Sequence, residues 1–149
     1  MPLERLTEEL VREIAAEYPA LSNLNLSKNE IRTIDCDLSA LPHVSRLNLS
    51  HNHLSTLPST LHRQLPELRQ LLVAHNRFVS LESFRALHSL TKLDVGYNLL
   101  QHFDQLDVLA SLPSLTHLIL EGNVRLDEDP QYRVAVAAKL PRLCILDDK

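Results

Sequence analysis

One pattern of eleven residues, L-x-x-L-x-L-x-x-N-x-L, returns five times along the chain, and few folds can accommodate such a repeat. Leu21, Leu24, Leu26, Asn29 and Ile31 make the first copy, Val44, Leu47, Leu49, Asn52 and Leu54 the second, and Leu68, Leu71, Val73, Asn76 and Phe78 the third. Leu90, Leu93, Val95, Asn98 and Leu100 follow. The fifth copy, Leu115, Leu118, Leu120 and Asn123, has Arg125 where the others end on an apolar residue. The copies start at residues 21, 44, 68, 90 and 115, so the steps between them are 23, 24, 22 and 25 residues. Each copy reads as a short strand, a turn and a return segment. None can bury its leucines alone, so the copies must stack. The predicted architecture is therefore α/β: a solenoid with a curved parallel sheet on its concave face and short helices and turns on its convex face.

Prolines punctuate the repeats. Pro19, Pro42, Pro66, Pro113 and Pro141 each stand two residues before an apolar position that opens a strand, where proline stops the preceding segment and favours extended chain. Leu61 with Leu65, Phe84 with Leu87, and Leu106 with Leu109 and Leu112 recur at spacings of three or four, which predicts short helical turns on the convex side. The asparagine at the ninth position is expected to bond backbone groups at the bend after each strand.

A solenoid must protect its two ends. Over residues 1–20 the pattern predicts a helical cap: a helix starting at Thr7, acidic in its first turn at Glu8 and Glu9, carries Leu6, Leu10, Val11, Ile14 and Ala15 on one face. Residues 21–123 hold the five repeats. Residues 124–149 form a second cap, with a helix from about Gln131 and one closing strand. The whole is expected to be one domain, the N-terminal part of a longer protein, since Lys149 follows directly on that closure.

Composition excludes several function classes. Only Gly96 and Gly122 are glycine among 149 residues, whereas 33 are leucine, so no glycine-rich phosphate loop or dinucleotide fingerprint can be written. The net charge is −4 and the pI about 6.0, so no overall field attracts nucleic acid or an anionic membrane. No apolar run reaches the roughly 18 residues of a membrane span. Cys36 and Cys144 lack metal-type spacing and read as reduced thiols of an intracellular protein.

Residues flanking the buried leucines of each strand face the concave sheet in columns. The third-position column is Asn23, Arg46, Gln70, Lys92, His117; the fifth is Asn25, Asn48, Leu72, Asp94, Ile119; the eighth is Lys28, His51, His75, Tyr97, Gly122. Leu72 and Ile119 are expected as exposed apolar anchors within a charged rim, the mixture a protein interface uses. The partner-binding candidates are Lys28, Arg46, His51, Leu72, His75, Lys92, Asp94, Tyr97, His117 and Ile119. Serine, histidine and aspartate occur in no nucleophile–base–orienter order, so neither catalytic residues nor a cofactor are expected. His51 and His75 share a column without a third ligand, and Asp127, Glu128 and Asp129 lack calcium-loop spacing, so no metal site is expected either.

The repeat periods match the 20 to 29 residues of leucine-rich repeats. The run Tyr132, Arg133, Val136, Leu140, Pro141, Leu143, Leu146, Asp147 resembles the C-terminal cap of intracellular leucine-rich-repeat proteins, although Val124 follows Asn123 where proline is usual. That group includes the A-prime family of spliceosomal branch-site ribonucleoproteins, ciliary and flagellar proteins, and regulators of type-one protein phosphatase. The A-prime family is the most similar, on the stretches Leu6–Leu10, Leu71–Arg77 and Leu106–Thr116. This resemblance implies a non-catalytic scaffold whose concave face receives a helix or peptide of an RNA-recognition-motif partner, with RNA met only through that partner. It implies a setting in the nucleus or in the cytoplasm, including the cilium or basal body.

Overall fold

The computed structural model describes residues 3–148 and shows the expected solenoid. Helix α1 (Glu8–Glu17) comes first, capped by Thr7, whose hydroxyl accepts from the Leu10 amide. Six strands follow in one parallel sheet whose spatial order is the chain order: β1 (Asn23–Asn25), β2 (Arg46–Asn48), β3 (Gln70–Leu72), β4 (Lys92–Asp94), β5 (His117–Ile119) and β6 (Ile145–Leu146). Between them the chain returns through α2 (Leu61–Gln64), 3-10 turns at Glu82–Phe84 and Phe103–Gln105, α3 (Leu106–Ala110), α4 (Val124–Asp127) and α5 (Tyr132–Lys139). Asp127 ends a helical turn, and its carboxylate accepts from the Gly122 amide at 2.7 Å.

The leucines of the pattern fill one continuous core. Leu47, Leu49, Leu71, Leu93, Leu118 and Leu120 lose essentially all solvent exposure, and Leu61, Phe84, Leu106 and Leu109 meet them from the convex side. At one end Leu6 and Val11 are buried, with Leu10, Ile14 and Ala15 packed against the core; at the other, Val136, Leu140 and Leu146 are buried.

The ninth-position asparagines bond as their residue type predicts, and they also link neighbouring repeats. Asn98 is buried; its amide donates to the Val95 carbonyl of its own repeat and the Val73 carbonyl of the repeat before, both at 3.0 Å. Its carbonyl accepts from the Phe78 amide at 3.0 Å. Asn52, Asn76 and Asn123 repeat the arrangement, each reaching back one repeat. Asn29 has no earlier repeat to reach, and its side chain instead accepts from the Leu3 amide at 2.9 Å.

Candidate functional site

The concave face is assembled by strand register. Asn48, Leu72, Asp94 and Ile119 stand side by side across four strands, and so do Arg46, Gln70, Lys92 and His117. Just after each strand the eighth-position residue adopts a left-handed backbone: Lys28, His51, His75 and Tyr97 have φ of 59°, 59°, 55° and 52°, and Gly122 has 89°. This turn keeps the ladder going, because the amides of Lys28, His51, His75 and Tyr97 donate to the carbonyls of Ser50, Ala74, Gly96 and Glu121 in the next repeat. Asn48 and Asp94 support it by accepting from the amides of Ser50 and Gly96, each at 3.0 Å.

Held at one strand spacing with the same backbone, the eighth-position rings stack. His51 and His75 lie 4.2 Å apart with 11° between planes, and His75 and Tyr97 lie 4.4 Å apart with 5° between planes. The column ends at Gly122, where a Cβ would collide with the Tyr97 ring. Burial first, then His75 and Lys28, hold the His51 imidazole below the ordinary histidine value. The pair has no third ligand: among the described residues no group of three or more His, Cys, Asp or Glu side chains is placed to hold a metal ion.

Seven of the ten candidate residues, Lys28, His51, Leu72, His75, Asp94, Tyr97 and Ile119, line one shallow groove of about 550 Å³. Arg46, Lys92 and His117 lie on the same sheet along its opposite margin, where His117 meets Asp148 at 2.8 Å. One expectation needs correction. Leu72 is not an exposed anchor but only 9% exposed, standing between Asn48 and Asp94 of the neighbouring strands. Ile119 keeps partial exposure, and Tyr97 is 51% exposed. The groove also includes Ser27, Ser50, Ala74 and Glu121, a seventh-position column that the repeat period would have revealed, and Asp148, which no repeated signal announces.

Asp94 is more than half buried, and desolvation raises its pKa against the opposing effects of the Gly96 amide and Lys92. Neither His117 nor His43, which meets Glu67 at 2.9 Å, has a hydroxyl or thiol hydrogen-bonded to its imidazole among the described residues. Both cysteines are free, Cys36 buried and Cys144 at the surface. No helix among the described residues is long and apolar enough to cross a membrane.

The family model described as leucine rich repeat matches residues 19–78 and 78–124. The chain belongs to the leucine-rich-repeat family. Within it, the chain is 38% identical over 78 residues to the U2 small nuclear ribonucleoprotein A′ of Eremothecium gossypii, a match over 52% of this chain and 32% of that protein. It is 36% identical over 104 residues to the serine/threonine-protein kinase 11-interacting protein of Gallus gallus, over 70% of this chain and 10% of that protein. These matches span about a third and about a tenth of the relatives' lengths. Among solved structures, a chain of the Drosophila melanogaster SNF/U2A′ complex superposes with a TM-score of 0.79 at 27% identity, covering 99% of this chain and 85% of that one. A leucine-rich-repeat protein of Leptospira interrogans gives 0.73 at 25% identity, covering 97% of this chain and 34% of that one. An internalin of Listeria monocytogenes gives 0.69 at 22%, covering 96% and 38%, a likeness of fold.

Proposed function

We propose that this leucine-rich-repeat chain is a non-catalytic protein-interaction scaffold, that its concave sheet is the binding face, and that it serves as an A′-like subunit for an RNA-recognition-motif partner. The observation that carries this reading is the likeness over 99% of the chain to a protein solved in the SNF/U2A′ complex, together with the identity to a U2 A′ protein. The groove adds a physical reason, since an apolar floor rimmed by charge is how protein interfaces combine affinity with register. A nuclear setting goes with the same reading.

The test is affinity purification of the full-length tagged protein from its own cells, followed by mass spectrometry. Recovery of an RNA-recognition-motif protein with splicing factors is expected. Axonemal or basal-body proteins instead, or a type-one phosphatase catalytic subunit, would overturn the A′-like assignment. Tyr97→Asp with Ile119→Lys addresses the face, since Tyr97 is exposed and aspartate tolerates its left-handed backbone. The double variant should lose at least about tenfold in partner affinity with unchanged thermal unfolding. Undiminished binding would move the interface elsewhere.

A further inference from the structure

The charges of the concave face are sorted along the solenoid axis. In the first two repeats the strand-face residues are Asn23, Asn25, Ser27 and Lys28, then Arg46, Asn48, Ser50 and His51, which include cations and no carboxylate. The third repeat contributes Gln70, Leu72, Ala74 and His75, with no Asp, Glu, Lys or Arg, and its Leu72 and Ala74 form the floor of the groove. From the fourth repeat onward the groove gains Asp94, Glu121 and Asp148. Lys92 breaks this order; like Arg46 it lies on the opposite margin, outside the groove lining, so Lys28 is the cation that lines the groove at its first end.

We infer that the groove takes a helical segment of a partner protein whose own charge is split, acidic where it lies over Lys28, apolar over Leu72 and Ile119, and basic over Asp94, Glu121 and Asp148. The inference rests on the concave face being the binding face, and it specifies the chemistry and direction of what binds there. Length fits the idea. Five strand steps of about 4.8 Å separate β1 from β6, about 24 Å in all, which a helix of about 16 residues spans at 1.5 Å per residue. A nucleic-acid backbone fits poorly, because phosphates that suit Lys28 would be repelled at the carboxylate end. An anionic membrane meets the same objection. The charge sorting also sets orientation: turning the segment end for end would bring like charges together at both ends.

Two fluorescent, lactam-bridged helical peptides of one composition and one apolar stripe test it. In one the acidic and basic residues are segregated to opposite ends, and in the other they alternate. Fluorescence anisotropy on the whole chain should show the segregated peptide binding at least about tenfold tighter. That advantage should shrink in Glu121→Lys and in Lys28→Asp, each at an exposed position, with circular dichroism confirming that both variants fold. Equal affinity for the two peptides, no binding of either, or preference unchanged in both variants would overturn the inference. If the peptides are discriminated but purification brings down no RNA-recognition-motif protein, the assignment of partner falls and the charge-sorted groove stands.

Discussion

Asn98 shows how much a single buried side chain holds in this fold. Its amide bonds carbonyls of two repeats and its carbonyl takes the Phe78 amide, so truncation leaves several buried backbone groups unpaired. Asn98→Ala should cost roughly 3 kcal/mol, measured by urea unfolding, while Asn29→Ala, at a partly exposed end position, should cost less. Titration of the ring column gives a second residue-scale prediction. His51 is held below 6.5, so between its folded value and 6.5 unfolding takes up a proton; its contribution to stability is present above 6.5 and fades as pH falls through the folded value. NMR should place the His51 midpoint below 6.5, and His75→Ala should raise it. Of these residues, the asparagines were legible in sequence because they recur at one position and their chemistry is local. The ring stack was legible only as a shared column. Nothing linear announces that histidine and tyrosine would take a left-handed backbone, or that Leu72 would be buried between its neighbours.

At the scale of elements, the segment that carries α5 and β6 depends on one turn. In every earlier pair of strands a backbone carbonyl of the next strand receives the sixth-position amide, as the Asp94 carbonyl receives Val73. After β6 the chain turns left-handed at Asp147, and its side chain takes that place: the carboxylate accepts from Leu120 at 2.7 Å and Glu121 at 2.9 Å. The Tyr132 hydroxyl, on α5, donates to the other oxygen at 2.8 Å. Burial and this bond push the Tyr132 phenol far above its ordinary value, so it stays a donor. Asp147→Ala should cost about 2–3 kcal/mol and Tyr132→Phe about 1 kcal/mol by chemical unfolding. Equal costs would contradict this division of labour. The sequence supplied these two residues through the resemblance of its closing motif. It did not supply the reason they belong together, because the pair occurs once and spans two elements. The helix at Thr7 was readable from its capping residue and apolar spacing, and the one near Gln131 from apolar spacing alone, both local signals.

As a whole molecule, the solenoid has each repeat bonded to its neighbours, so its stability should be graded along the axis. Hydrogen exchange should find the slowest amides in β2 to β4. In Asp147→Ala, protection should fall first in β5 and α5, with β2 and β3 retained; a uniform loss would mean that the stack unfolds as one unit. The same neighbour-only construction explains why the fold was legible from period alone while the charge sorting of the concave face emerged only with register. It also raises a question of length. A stack whose members each need only a neighbour could, in principle, grow end to end like a one-dimensional crystal, copy upon copy. β6 offers two residues of edge before Asp147 and Asp148 turn left-handed at φ 55° and 61°. Such a short ledge gives an incoming strand little to grip, so the turn at Asp147 and Asp148 works against edge-to-edge growth of the stack into fibres.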